Sequence, residues 1–429
     1  MNVRFRVTGS GPTSIRLKAW RSGSAEPGWQ VKAKDGAKGL SRSGAVGIRV
    51  EAPRTVKGFP ASVHVDNLRV SKVVQTAAPK PSPARPSRPA PSAPDPSGIH
   101  VPSSVDSTGG SDASAALQRF VDGVPSGSTV VFKSGGTYRM DHGLLLGNRH
   151  DLVFEGNGAT LRANGSRSRP ADSIFSLMFG DARITIRNLT LQGNNPDAGT
   201  RNAYHGGAES LAGIYLGGAT DITISGVTMR DFYGDCLYIG TNTTGAWSQR
   251  ITYQDSTCTG PGRHGVAVIA ASDVTIQRVR FDRIGFMVVD IEPDSSSEGA
   301  TGIMIRDNTI GSYGLTNQYV CFIVAAYAGA NAAIRDVSLI GNTISGNPSA
   351  GYTGRPVGLN VVVDGTIGPR SNFVVRDNTS TITLASTPIR IGNTSGVTVT
   401  GNRQPMSSGS LASFPGSSNV TYQGNDTSH

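Results

Sequence analysis

Short runs in which apolar and polar residues alternate recur along the whole chain, each bounded by Gly, Ser, Asn or Pro. In the first 73 residues such runs occupy 3–7, 14–18, 29–33, 46–50 and 61–70, and period-two alternation of this kind predicts antiparallel strands with one wetted face. Five strands make an open sheet with unpaired edges, so this region reads as part of a sandwich whose remainder would lie upstream. After residue 150 the runs become units of one pattern. They start at 152 (LVFEGN), 184 (ITIRNL), 222 (ITISGV), 251 (ITYQDS), 274 (VTIQRV), 303 (IMIRDN), 337 (VSLIGN), 373 (FVVRDN), 397 (VTVTGN) and 420 (VTYQGN). The shortest spacing, 23 residues from 251 to 274 and from 397 to 420, is about one turn of a parallel β-helix, and longer intervals carry inserted loops.

The sixth position of the unit is Asn in six of the ten: Asn157, Asn308, Asn342, Asn378, Asn402 and Asn425. An Asn that tolerates a left-handed backbone and bonds its counterpart in the next coil would satisfy the turn amides at each step. The pattern fails at Val227, Ser256 and Val279 in consecutive coils, and breaks in a local rule are where function is sought. One helix is expected ahead of the repeat, capped by Ser111 or Asp112, with Ala116, Leu117, Phe120 and Val121 on one face.

Composition agrees with an all-β chain. Gly and Pro make up 79 of 429 residues, well above the usual ~12%, and only 16% are charged. No run approaches the ~18 apolar residues of a membrane helix, so no membrane association is expected. The net charge of +10 is unevenly placed: residues 1–98 hold 17 Lys and Arg against 5 Asp and Glu, and the rest hold 23 against 25. The larger region therefore lacks the basic stripe of a nucleic-acid binder, and the basic end suits acidic cell-wall polymers. Between them, residues 74–98 contain eight prolines among Ala, Ser and basic residues, the composition of a semi-extended linker. The expected organisation is a partial sandwich (1–73), a linker (74–98) and a parallel β-helix (99–429). The three cysteines have no zinc-site spacing; they read as buried small residues, or as one bridge between Cys236 and Cys258. The start, Met-Asn-Val-Arg-Phe-Arg-Val, lacks the apolar run of an export signal, and the expectation is a secreted protein truncated at its N-terminus.

Two resemblances bear on these regions. The succession IRLKAW, WQVKA, VGIRV, VHVDNLRV resembles the second half of a laminin-G-like or concanavalin-like jelly roll. The opening helix, the coils and the GGTYR strand resemble the pectate-lyase-like superfamily of right-handed parallel β-helices over residues 99–429. That resemblance implies an extracellular carbohydrate-active protein without naming the reaction.

The broken coils carry the candidate chemistry. A second strand follows each first strand there, and aligning their apolar residues puts Tyr215, Tyr238, Ala267 and Asp290 in one outward column, with Glu292 two residues on and Asp235 and His264 in another column. Coils are ~4.8 Å apart, which separates Asp235 from the Asp290–Glu292 level by roughly 10 Å. An inverting glycosidase uses ~6.5–9.5 Å between its carboxylates. Asp290 and Glu292, i and i+2 on one strand and so about 7 Å apart, form a second candidate pair.

The segments GDCLYIG and CTGPGRHGVAVIAA, followed by VVDIEP, resemble the successive Asp-Asp-Cys, Cys-x-Gly-x-His-Gly and Arg-Ile-Lys strands of the polygalacturonase family. On that comparison Asp235 matches the second aspartate and His264 the family histidine. Gly234 stands in place of the first aspartate and Ala212 in place of the Asn-Thr-Asp aspartate, while Asp290-Ile-Glu292 replaces Arg-Ile-Lys. The layout is shared, and the chemistry of a polygalacturonase is not. An Asp/Glu pair repels a uronate, which points to a neutral polysaccharide substrate, unless calcium is bound and bridges to an acidic sugar. A lysine base is excluded, because Lys133 is the one lysine after residue 98; Arg263 is the candidate for that role. The expectation is a glycoside hydrolase using Asp235, Asp290, Glu292 and His264, with Arg263, Tyr215, Tyr238, Arg201 and His205 holding the substrate, and with no cofactor unless calcium. A lyase or epimerase is the second reading, and a noncatalytic glycan-binding or surface-structural β-helix the third.

Overall fold

The structure is a computed structural model that describes residues 2–8, 13–20, 31–35, 97–164, 173–316, 323–325, 332–345, 358–363 and 368–428. The chain divides into two compact units, Met1–Pro91 and Ser92–His429, each described by itself.

In the first unit three of the expected strands are seen, β1 (Asn2–Thr8), β2 (Thr13–Trp20) and β3 (Val31–Asp35). They form an antiparallel meander in the order β1-β2-β3, with Val3 opposite Ala19 and Ile15 opposite Ala33. The runs at 46–50 and 61–70, like the Pro-rich stretch up to residue 96, lie outside the described residues.

The second unit is a right-handed parallel β-helix. Among the described residues, ten, ten and twelve strands stack into three sheets, and every strand pair in them is parallel. Each complete coil contributes one strand to each sheet. One helix, α1 (Ser114–Gly123), precedes the coils, with Leu117 and Val121 buried in the core. Its cap differs from expectation. Ala113 holds the N-cap position, and Asp112 Oδ1 instead accepts the Ser114 N–H at 2.9 Å from one residue earlier.

The core follows from the repeat. Ile222, Ile251, Val274, Ile303, Val337, Phe373 and Val397 are in register on successive coils, and all are buried. Each such side chain contributes roughly 1.5–3 kcal/mol, and stacking coil on coil makes the column continuous. The turn after each strand needs a left-handed residue, and the structure places it at the fifth position of the unit: Asn188 (φ 54°), Asp255 (50°), Arg278 (52°), Asp307 (56°) and Asp377 (56°), with glycine at 226, 341, 401 and 424.

The asparagine at the sixth position therefore serves the ladder and not the left-handed turn. Asn308, Asn342, Asn378 and Asn402 each donate their backbone N–H (3.0–3.1 Å) and Nδ2 (2.9 Å) to the Oδ1 of the next asparagine, ending on Asn425. Asn157 stands apart. It adopts φ 50° itself, and the next coil presents Leu189 at the sixth position. The broken coils are partly repaired, since Ser256 Oγ accepts the Val227 N–H at 3.0 Å and Asn308 Oδ1 accepts the Val279 N–H at 2.9 Å.

Candidate functional site

Four neighbouring strands of one ten-stranded sheet carry the candidate residues: β4 (Ile214–Gly217), β5 (Leu237–Gly240), β6 (Val266–Val268) and β7 (Val289–Ile291). Their register pairs Tyr215 with Tyr238, Tyr238 with Ala267, and Ala267 with Asp290, the column expected from the alternation. Just before these strands, Cys236 N–H donates to the His264 carbonyl, so Asp235 and His264 occupy adjacent coils of a second column. Cys236 and Cys258 form a disulfide, both buried. Cys321 lies outside the described residues.

The carboxylates are not on an open outward groove. Asp235 is 0% exposed, Asp290 1% and His264 2%. Phe286 and the insert that precedes β4 pack beside them, on His264 and on Gly234. A Cβ on Gly234 would overlap the Glu209 carbonyl, so insert backbone leaves no room for an aspartate at this position. The Tyr204 ring packs on Phe286 at 4.9 Å, and Phe286 meets the His264 ring edge-on at 5.5 Å. Tyr204 in turn donates its hydroxyl to Glu209.

Asp235 Oδ1 accepts the His264 N–H at 2.8 Å. Asp290 Oδ2 lies 3.3 Å from His264 Nε2, so one acid holds the backbone amide of His264 and the other meets its imidazole. Arg263 Nη2 is 3.2 Å from the same Nε2, 4.0 Å from Glu292 Oε2, and its Nε is 4.0 Å from Asp235 Oδ1. Burial, and then the Arg263 charge, hold the His264 pKa well below its ordinary value. A neutral imidazole accepting from Arg263 at Nε2 carries its proton on Nδ1, which has no partner, and meets Asp290 best when Asp290 is protonated. The direction of the Asp290 shift agrees: burial first, then Glu292 and Asp235, push its pKa well above the ordinary carboxylate range. Burial also raises Asp235, to about 6, against the opposing pull of Arg263. The guanidinium is stabilised by Asp235 first, then Glu209, Glu292 and Asp290.

Asp290 and Glu292 are closer than strand spacing implies. His264, Asp290 and Glu292 each present a ligand atom within 4.8 Å of the others. A divalent cation could use that set, but Arg263 already occupies the side facing His264 and Glu292, and its positive charge opposes a metal there.

Tyr215 and Tyr238 stack face to face, centroids 4.8 Å apart and 7° between planes. Burial raises both phenol pKa values, so both remain neutral. Trp247 Nε1 donates to the Ser297 carbonyl at 2.9 Å, and Glu298 closes the acidic turn by accepting the Asp294 and Ser295 N–H groups. His205 is engaged within the insert by Asp197 at 2.9 Å and lies edge-on to Tyr233, and Arg201 is exposed on the same insert. The structure brings neither into contact with the carboxylates. Sequence reasoning missed Glu209 and Phe286. No periodic signal marks them, because Glu209 lies on the insert and Phe286 in the turn before β7, and neither segment has a register to align.

No family model matches the chain. It is similar to a probable endo-xylogalacturonan hydrolase A of Neosartorya fischeri, 26% identical over 242 residues, which is 53% of this chain and 52% of that protein. The chain thus spans about half the length of that curated relative. Among solved structures it is similar to a family 28 exopolygalacturonase of Yersinia enterocolitica (12% identity, TM-score 0.47, covering 97% of this chain and 84% of that one). It is also similar to an endo-xylogalacturonan hydrolase of Aspergillus tubingensis (15%, 0.45, 77% and 97%) and to a mannuronan C-5 epimerase A-module of Azotobacter vinelandii (15%, 0.44, 74% and 79%).

Proposed function

We propose that the chain is a secreted glycoside hydrolase that cleaves a polysaccharide by acid/base catalysis with Asp235, Asp290 and Glu292. The observation that supports this reading is a pair of buried carboxylates with raised pKa values joined through His264, Asp235 at its backbone amide and Asp290 at its ring, with a stacked tyrosine pair on the Asp290 column. Asp290, kept protonated by burial and by Glu292, donates to the departing glycosidic oxygen. Asp235, ionised above about pH 6, takes the proton of the attacking water. Two coil spacings of ~4.8 Å separate the levels of the two acids, near the ~6.5–9.5 Å used by inverting enzymes. His264 and Arg263 orient the scissile sugar, and Tyr215 and Tyr238 offer it an apolar face. The Cys236–Cys258 bridge suits an oxidising compartment, which supports export.

The name of the fungal relative points to a galacturonan-type polymer. The Asp290-Ile-Glu292 strand argues that this chain takes a different glycan, because carboxylates at that place repel uronates. Arg263 also makes a poor lyase base, since the surrounding carboxylates hold its proton more tightly. The test is incubation with a panel of neutral and acidic glycans, with and without chelator, following both reducing ends and the ultraviolet absorbance of unsaturated products. Reducing ends without that absorbance are expected. Unsaturated products, or dependence on a divalent cation, would replace the hydrolase reading with the lyase one.

A further inference from the structure

The charge around Arg263 is lopsided. Asp235, Glu209, Glu292 and Asp290 all act on this guanidinium, and Asp294 and Glu298 lie just beyond, acting on each other and on the tyrosine pair. Setting aside Asp290 and Asp294, whose burial favours the protonated form, Asp235, Glu209 and Glu292 still share one arginine. A second observation is independent of charge. Asp235 Oδ2 and Asp290 Oδ1 are buried with no hydrogen-bond partner, and a buried acceptor left unmet costs roughly 1–3 kcal/mol. These two oxygens therefore lack donors, although His264 Nδ1 is also without a partner and does not reach them, and the carboxylates outnumber the positive charge.

We propose that the polysaccharide is built of amino sugars with free amines, and that the sugar beside β6 and β7 places its ammonium against the part-exposed Glu209 and Glu292, in front of the two orphaned aspartate oxygens. This rests on the hydrolase reading and names its substrate class. An ammonium brings three donors and a charge, whereas a hydroxyl brings one donor, an N-acetyl group brings one donor with no charge, and a uronate brings repulsion. The tyrosine pair takes the apolar face of the ring and is indifferent to the amine. Glu209 acts here as a specificity residue: the insert carries it in, the Tyr204 hydroxyl fixes its carboxylate, and its charge reaches both Arg263 and Asp235.

The experiment uses the full chain and isothermal titration with short oligosaccharides of glucosamine and galactosamine, their N-acetylated forms, and galacturonate oligosaccharides, at low and high salt. The amino forms should bind at least about tenfold more tightly than the N-acetyl forms, a difference of ~1.4 kcal/mol, and salt should erode the preference. Glu209→Gln is nearly isosteric and should cut the preference severalfold at unchanged melting temperature, with Glu209→Asp restoring part of it. Equal or tighter binding of N-acetylated or uronate oligosaccharides overturns the proposal, as does a preference that Glu209→Gln leaves intact. The two readings fail separately. Asp290-dependent cleavage of a neutral or acidic polymer would keep the hydrolase and remove the amino-sugar assignment, whereas amino-selective binding with no cleavage of any amino-sugar polymer would keep the ligand class and remove the hydrolase.

Discussion

Among the described residues, the coils from Asn308 to Asn425 and those from Leu189 to Glu292 stack in the same three parallel sheets around one buried apolar column, yet they are held together differently. In the later coils one residue type repeats at one position, and each copy satisfies the copy before it. In the earlier coils that position holds Leu, Val, Ser and Val. A serine hydroxyl and one disulfide across the coil interior hold them, and the neighbouring sheet carries buried carboxylates. Regular bonding thus stops where unsatisfied polar groups begin, which is the contrast between a scaffold and a site.

The largest expected effect breaks the contrast at its chemical end. Asp290→Asn or Asp235→Asn should lower turnover about 100-fold or more, measured on the best glycan of the panel. The melting temperature should hold or rise, because an uncharged amide removes a desolvation penalty. Full activity in both variants and in Glu292→Gln would move the active groove elsewhere on the solenoid.

Next comes the staple. The bridge closes a separation of 22 residues, so Cys236→Ser with Cys258→Ser should cost about 3 kcal/mol by denaturant unfolding. Turnover should fall as well, since Cys236 adjoins Asp235. The scaffold end responds in the opposite sense. Asn402→Ala strips the acceptor from two donors of Asn378 and should cost roughly 2 kcal/mol, with turnover at 25 °C unchanged.

The smallest effect sharpens the contrast through pH. Asp181 is buried, its Oδ1 accepts the Arg149 N–H at 2.7 Å, its Oδ2 has no partner, and burial raises it to about 7. A raised carboxyl pKa means that the folded state holds the proton more tightly. Its stabilising contribution is complete below the unfolded value near 4 and is lost as pH rises through about 7. Asp181→Asn should therefore melt progressively higher than the parent from pH 4 to pH 8, a difference of a few degrees at most.

Much of this was legible in the sequence. Strand units, coil spacing, the Asn ladder and the column Tyr215–Tyr238–Ala267–Asp290 all follow from alternation, because a periodic backbone turns sequence spacing into spatial order. The left-handed residue was misassigned by one position, since Asn suits both the turn and the rung. What lay hidden came from segments without a period. The packing of the insert on Gly234 and of Phe286 on His264 has no repeat behind it, and the close approach of Glu292 to Asp290 is a matter of side-chain conformation that strand spacing does not specify.

The one-residue-type ladder has a consequence for how such a chain changes over generations. Each rung from Asn342 to Asn402 presents the same donors forward and the same acceptor backward, so if a whole coil is lost or duplicated the neighbours meet an identical partner and the bonds re-form. That stretch has no internal address, and its length is free to drift by whole turns. The earlier stretch is spelled: tyrosine, then aspartate with tyrosine, then arginine with histidine, then aspartate with glutamate, one coil after another. Dropping any one of those coils leaves a smooth solenoid that has lost a letter no neighbour can supply.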